Sequence, residues 1–134
     1  MLHSREVAEL VGSFLKKHSK IPVVLDPVMV ATSGDLLLQE DAIEAIRCQV
    51  FPVTELITPN IHEARVLTEK ELSTQDSIRD AGRQLHKMGA RNVLIKGGDI
   101  DSDQAQDTLY LGNDDRHVVL SRPKIKTQNL HGTG

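Results

Sequence analysis

The chain has 134 residues, 39% hydrophobic and 26% charged, with a formal net charge of −3; these totals fit at most one globular domain with a real core and are short for a complete α/β enzyme with an eight-strand sheet. Its Lys and Arg are scattered and its pI is near 6.0, which excludes the basic face that nucleic acid or an anionic membrane requires and makes a small molecule the expected partner. A single cysteine, Cys48, excludes an internal disulfide and fits a reducing cytosol, while no export signal and no apolar run of ~20 residues is legible.

Ser4 can cap a first helix in which Val7, Leu10, Val11, Phe14 and Leu15 recur at helical spacing, with Lys16, Lys17 and His18 in its last turn, where cations complement the helix dipole. Ile21-Pro22-Val23-Val24-Leu25 is apolar without alternation, as expected for a strand covered on both faces. With two Phe, one Tyr and no Trp, the core falls to such aliphatic residues. The run ends in Asp26-Pro27, which puts Asp26 at a strand's carboxyl end. Residues 28–34 read as a loop. Asp41 can cap a second helix carrying Ala42, Ile43, Ala45, Ile46 and Val50, with Cys48 in it as packing.

Leu56-Ile57 is a second strand, and the segment after it organises the chain. Pro59 keeps Thr58 extended, and Asn60 then suits a helix N-cap with Glu63 at the third helical position, the pattern of a capping box. Ligands of α/β proteins gather at such strand-to-helix mouths, although these two residues taken alone read first as a plain helix cap. Ser73 or Thr74 can cap a third helix bearing Ile78, Ala81, Leu85 and Met88, stopped by Gly89. Asn92 to Ile95 form a third strand, and Lys96-Gly97-Gly98 then bring a cation and two unhindered amides to the rim that the acids occupy, or else form a plain glycine turn. Asp107 to Leu111 and His117 to Leu120 flank Gly112-Asn113-Asp114-Asp115 and read as a hairpin. Residues 124–134 turn glycine-rich, as phosphate-binding loops do ahead of a helix. Neither a Walker-type nor a Rossmann phosphate loop is present, and the six His show no paired metal spacing.

Together, DPVMVATSG from Asp26 to Gly34, TPNIHEA from Thr58 to Ala64, LIKGGD from Leu94 to Asp99 and NLHGTG from Asn129 to Gly134 resemble, in order and spacing, the hydroxymethylpyrimidine and phosphomethylpyrimidine kinases of thiamine biosynthesis, members of the ribokinase superfamily. The resemblance implies a three-layer α/β/α fold with a central, mostly parallel sheet. Residues 1–134 would form the central part of a single kinase domain, incomplete at both termini. It implies an enzyme that uses ATP and Mg2+ to phosphorylate the hydroxymethyl group, and then the phosphate, of a 4-amino-2-methylpyrimidine.

Carried onto matching positions, the resemblance makes Asn60 and Glu63, with Asp26 nearby, the holders of Mg2+ and its waters. It assigns Lys96, Gly97, Asn129, Gly132 and Thr133 to the nucleotide, Gly132, Thr133 and Gly134 to an anion hole around the transferring phosphoryl group, and Val28 to the pyrimidine. The general base would follow Gly134, outside the chain, so the isolated chain is expected to be inactive. The complete protein is expected to be a cytoplasmic homodimer without nucleic-acid or membrane partners. A pyridoxal kinase of the same superfamily shares the Asp-Pro-Val-Met run and the glycine loop, but Ala31-Thr32-Ser33-Gly34 and His131 favour the pyrimidine kinase. Outside the enzymes, the alternative is a non-catalytic truncated chain that packs with others.

Overall fold

The computed structural model describes residues 2–30, 37–97 and 104–123. Helix α1 spans Arg5–Lys17 and starts where the Val7 amide donates to the Ser4 hydroxyl, 3.4 Å away. It does not seat on its large apolar residues: Ala8 and Gly12 are buried, while Leu10 and Phe14 are 71% and 59% exposed. Small residues allow a closer approach, and at Gly12 the surface met is Gln49. A Cβ at position 12 would lie 2.6 Å from the Gln49 carbonyl oxygen. Helix propensity alone would make Gly12→Ala stabilising by about 1 kcal/mol. Backbone cannot yield as a flexible side chain can, so the variant is expected to lose about 1–3 kcal/mol instead. A urea unfolding midpoint equal to or above that of the parent would show that the helix shifts freely.

Strand β1 is Val24–Leu25. The two-sided cover expected for it is corrected by the structure: β1 is the end strand of the sheet, and Ile21 and Val24 are exposed among the described residues. Helix α2, Glu40–Ala45, is capped by Gln39 without a side-chain bond, and Asp41 stands in its first turn beside Glu40. Asp41 is therefore not the cap. The amides of Ala42 and Ile43 both take the Gln39 carbonyl, and burial of Leu38 draws the helix start forward. The two acids still complement the helix dipole from inside the first turn.

The helix then widens into a π turn at Ile46–Val50 and tightens into a 3-10 turn at Phe51–Val53. Ile46, Val50 and Phe51 face inward and Cys48 faces out, its thiol 3.2 Å from Glu44 Oε1. The packing role expected for Cys48 is thereby corrected: a wider turn rotates the positions that follow it away from simple helical spacing. The same rotation sends Arg47 toward the next helix.

Strand β2, Leu56–Ile57, leads into helix α3, Ile61–Thr68, whose last carbonyls accept from Arg47 Nη2 at 2.5 Å (Leu67) and 3.5 Å (Val66). Helix α4, Gln75–Lys87, is capped by Thr74 with Ser77 completing a capping box, and Gly89 at φ +113° follows its end. Ile78, Ala81, Gly82 and Leu85 are its buried stripe. They lie toward strand β3, Asn92–Ile95, and strand β4, Gln104–Leu111, where a Cβ on Gly82 would stand 3.0 Å from that of Tyr110. Strand β5, Arg116–Pro123, completes the hairpin.

The five strands run in the order β1-β2-β3-β4-β5. Pairs β1/β2 and β2/β3 are parallel, while β3/β4 and β4/β5 are antiparallel. The sheet is thus mixed, its parallel half built by strand-helix-strand units and its antiparallel half by the hairpin. One geometric consequence positions the site: the carboxyl ends of β1, β2 and β3 share a rim with the amino end of β4. The core is aliphatic apart from Phe51 and Tyr110, with Ile57, Ile61, Leu67, Val93 and Ile95 at its centre. Among the described residues no helix is long and apolar enough to cross a membrane.

Candidate functional site at the strand ends

Asn60 and Glu63 form the predicted capping box: Asn60 Oδ1 accepts from the Glu63 amide and Glu63 Oε2 accepts from the Asn60 amide, each at 2.8 Å. The cap leaves Glu63 Oε1 pointing away from α3, and there it accepts from the Met29 amide at 3.4 Å. One carboxylate therefore ties the start of α3 to the loop that leaves β1. Asn60 also continues the sheet past β2, bridging to Lys96, whose amide donates to the Pro59 carbonyl at 2.9 Å.

Asp26 and Lys96 meet across this rim, with Lys96 Nζ 3.3 Å from each carboxylate oxygen. The pair spans from β1 to β3 over the end of β2. Its carboxylate is half exposed, so its own contribution to stability is small, about 0–1 kcal/mol. Gly97 does not present the free amide read from its sequence position, because its N–H donates to Asp107 Oδ1 at 3.0 Å. Val28 is about half exposed and Met29 fully buried, so the loop offers one apolar side chain outward and sinks the next. The predicted site residues Asn129, Gly132, Thr133 and Gly134, with His131, lie outside the described residues, as do residues 31–36 and 98–103.

Glu63 is buried. Burial pushes its carboxyl up from the ordinary carboxylate range, opposed by the Asn60 and Met29 amides; the Asp26 carboxylate adds to the rise and Lys96 subtracts from it. The sign for folding follows: the folded state holds this proton more tightly than the unfolded chain does. The contribution of Glu63 to stability is full below the unfolded-state pKa, declines as pH rises through the raised folded value, and is level above it. Unfolding free energies of wild type and Glu63→Gln, measured from acid to neutral pH, are expected to converge or cross in that direction. Parallel pH profiles would remove burial as a cost carried by this carboxylate.

Two carboxylates, one cation and a side-chain amide converge here. Among the described residues no three His, Cys, Asp or Glu side chains cluster as a closed metal cage. The donor set instead suits Mg2+, a hard cation that keeps several waters and takes one or two carboxylates together with phosphate oxygens. A zinc-type site would need the opposite arrangement, a full shell of protein ligands. Sequence reasoning did not identify the Asp26–Lys96 contact, the Met29 amide or Asp107. Only Asp107 leaves a signal, as the acid at which the sequence reading starts the hairpin strand; in the structure it lies inside β4, next to Thr108, which pairs with the buried Ile95.

Comparison with known proteins adds to this picture. The family profile described as phosphomethylpyrimidine kinase matches residues 1–134. A hydroxymethylpyrimidine/phosphomethylpyrimidine kinase of Haemophilus influenzae is 42% identical over 137 residues, which cover 100% of this chain and 51% of that protein. Among solved structures, a phosphomethylpyrimidine kinase of Clostridium difficile superposes with a TM-score of 0.78 at 34% identity, over 89% of this chain and 50% of that one. An ADP complex of Bacillus subtilis pyridoxal kinase superposes at 0.87 with 35% identity, over 98% and 49%. The chain spans about half the length of these single-function relatives, and about a quarter of bifunctional thiamine biosynthesis proteins such as that of Geobacter sulfurreducens, to which it is 40% identical.

Proposed function

The chain belongs to the phosphomethylpyrimidine kinase family, a group with a ribokinase-like α/β fold, and on that premise we propose that the full-length protein transfers phosphoryl groups from ATP in thiamine biosynthesis. The acceptors are the hydroxymethyl group of 4-amino-5-hydroxymethyl-2-methylpyrimidine and then the phosphate of its monophosphate. The observation that carries this reading is the meeting of Asp26, Glu63 and Lys96 on one strand-end rim, from three separate segments. Phosphoryl transfer demands alignment and charge stabilisation more than covalent help. A rim with both signs of charge, backed by amides fixed in direction, supplies those two things.

Bound Mg2+ would neutralise charge on the phosphate oxygens, held through Asp26, Glu63 and Asn60 and their waters. Lys96 offers a point charge to the nucleotide phosphates. Gly97 contributes room for close approach, its amide being taken. To Asn129, Gly132, Thr133 and Gly134 this reading assigns the rest of the nucleotide contact and the shelter of charge growing on the transferred group. Val28 presents an apolar surface to the pyrimidine ring. A homodimer in the cytoplasm is the setting this reading expects, in keeping with one unpaired cysteine.

A second reading has its own observation, the closer superposition on a pyridoxal kinase. Assaying the full-length protein with ATP and Mg2+ on hydroxymethylpyrimidine and on pyridoxal decides between them. A kcat/KM higher for the pyrimidine is the expected result; preference for pyridoxal would overturn the proposal, and inactivity on both would favour a non-catalytic role.

A further inference from the structure

Lys96 and Gly97 carry consecutive amides that are held from opposite sides. The Lys96 N–H donates to the Pro59 carbonyl beyond β2 at 2.9 Å, and the Gly97 N–H donates to the Asp107 carboxylate on β4 at 3.0 Å. Asp107 stands in a rigid place: Thr108, its neighbour, is buried, pairs with Ile95 across the β3/β4 ladder, and has its hydroxyl 3.4 Å from Gln75 Oε1 on α4. A carboxylate accepting a backbone N–H makes a stronger, shorter-range anchor than a neutral acceptor. The two peptide groups that flank the Lys96 Cα are thus held from opposite sides, one by the segment beyond β2 and one by β4. The direction in which Lys96 leaves the sheet is set by that clamp, and with it the reach of Nζ to Asp26.

An acid this near a phosphate-binding rim is unsuited to touch the phosphates themselves, which it would repel. We propose that Asp107 is a positioning residue for the nucleotide side of the site: it aims Lys96 by holding the Gly97 amide. The inference rests on the kinase reading above. In the full-length protein, Asp107→Ala is expected to raise KM for ATP about tenfold, the loss typical of one hydrogen bond to a charged group, with KM for the pyrimidine unchanged. Asp107→Asn keeps an acceptor oxygen at the same reach and is expected to restore KM for ATP to within about twofold of wild type. Amide hydrogen exchange at Gly97 should be faster in the alanine variant than in the other two proteins.

An alanine variant with normal KM for ATP, or an asparagine variant as impaired as alanine, overturns the assignment. Should the alanine variant fail to fold, Asp107→Ser, too short to span to Gly97, is compared with Asp107→Asn under the same two criteria. A wild-type protein inactive on pyrimidine and ATP would overturn the functional reading separately, because Gly97 exchange still reports whether Asp107 holds the strand end.

Discussion

Replacing Glu63 by alanine in the full-length protein is expected to lower Mg2+-dependent phosphorylation several tens-fold or more. A carboxylate placed beside the metal and the transferring charge contributes on the order of a few kcal/mol to the transition state. The same side chain also caps α3 and accepts from Met29, so alanine alone confounds two roles. Glu63→Gln separates them. Glutamine serves equally at the third position of a capping box, which leaves the helix start intact while the negative charge is lost. A charge-dependent role therefore predicts that glutamine and alanine variants are both slow. A purely structural role predicts a nearly normal glutamine variant and an alanine variant that loses ~1 kcal/mol of stability with kinetics spared. Activity of either variant measured at limiting Mg2+ makes the comparison, and normal turnover of Glu63→Gln would reduce Glu63 to a cap.

The elements legible in the sequence were those set by local rules. Asn60 and Glu63 specify a reciprocal cap within four residues, and the structure forms it. Thr74 and Gly89 bracket α4 for the same reason. What escaped was set by contacts distant in sequence. Asp41 suits a cap, but burial of Leu38 starts the helix earlier. The π turn at Ile46–Val50 has no sequence mark, since it answers to α1, where Gly12 lies against Gln49. It also explains why Cys48 points outward and why Arg47 reaches the end of α3.

The site was legible to a similar degree and for similar reasons. Asp26 and Lys96 directly follow apolar strands, and Asn60 and Glu63 open the helix after another; parallel strands with helical crossovers bring such residues to one rim. The pairing of Asp26 with Lys96 depends instead on strand order, which places β2 between their two strands. In the sequence Gly97 reads as an open amide because its partner, Asp107, sits ten residues later on a strand that returns antiparallel. A residue's spare hydrogen-bonding capacity is a property of its neighbours, and only topology supplies those.

Phe51→Ala is expected to produce the largest loss of stability among single side-chain truncations at the described residues, about 3–5 kcal/mol. Phe51 is fully buried at the junction where the π turn gives way to β2. Its own carbonyl accepts both the Thr54 amide, at 3.1 Å, and the Thr54 hydroxyl, at 2.9 Å, so the backbone around it is braced against collapse into the space the ring would leave. The surrounding core is aliphatic, and branched side chains already in contact fill a ring-shaped void poorly. Against a total stability of about 5–15 kcal/mol for an ordinary domain, that loss leaves little margin, and a sharply lowered guanidinium midpoint with an unchanged slope is the expected reading. Phe14, the other phenylalanine, is the control. It is 59% exposed and touches the His18 ring at 4.4 Å between centroids, so Phe14→Ala should stay within about 0.5 kcal/mol of the parent. The two truncations remove the same atoms. A similar cost for both would mean that the chain in solution buries the outer face of α1 as deeply as its core, contrary to the packing described here.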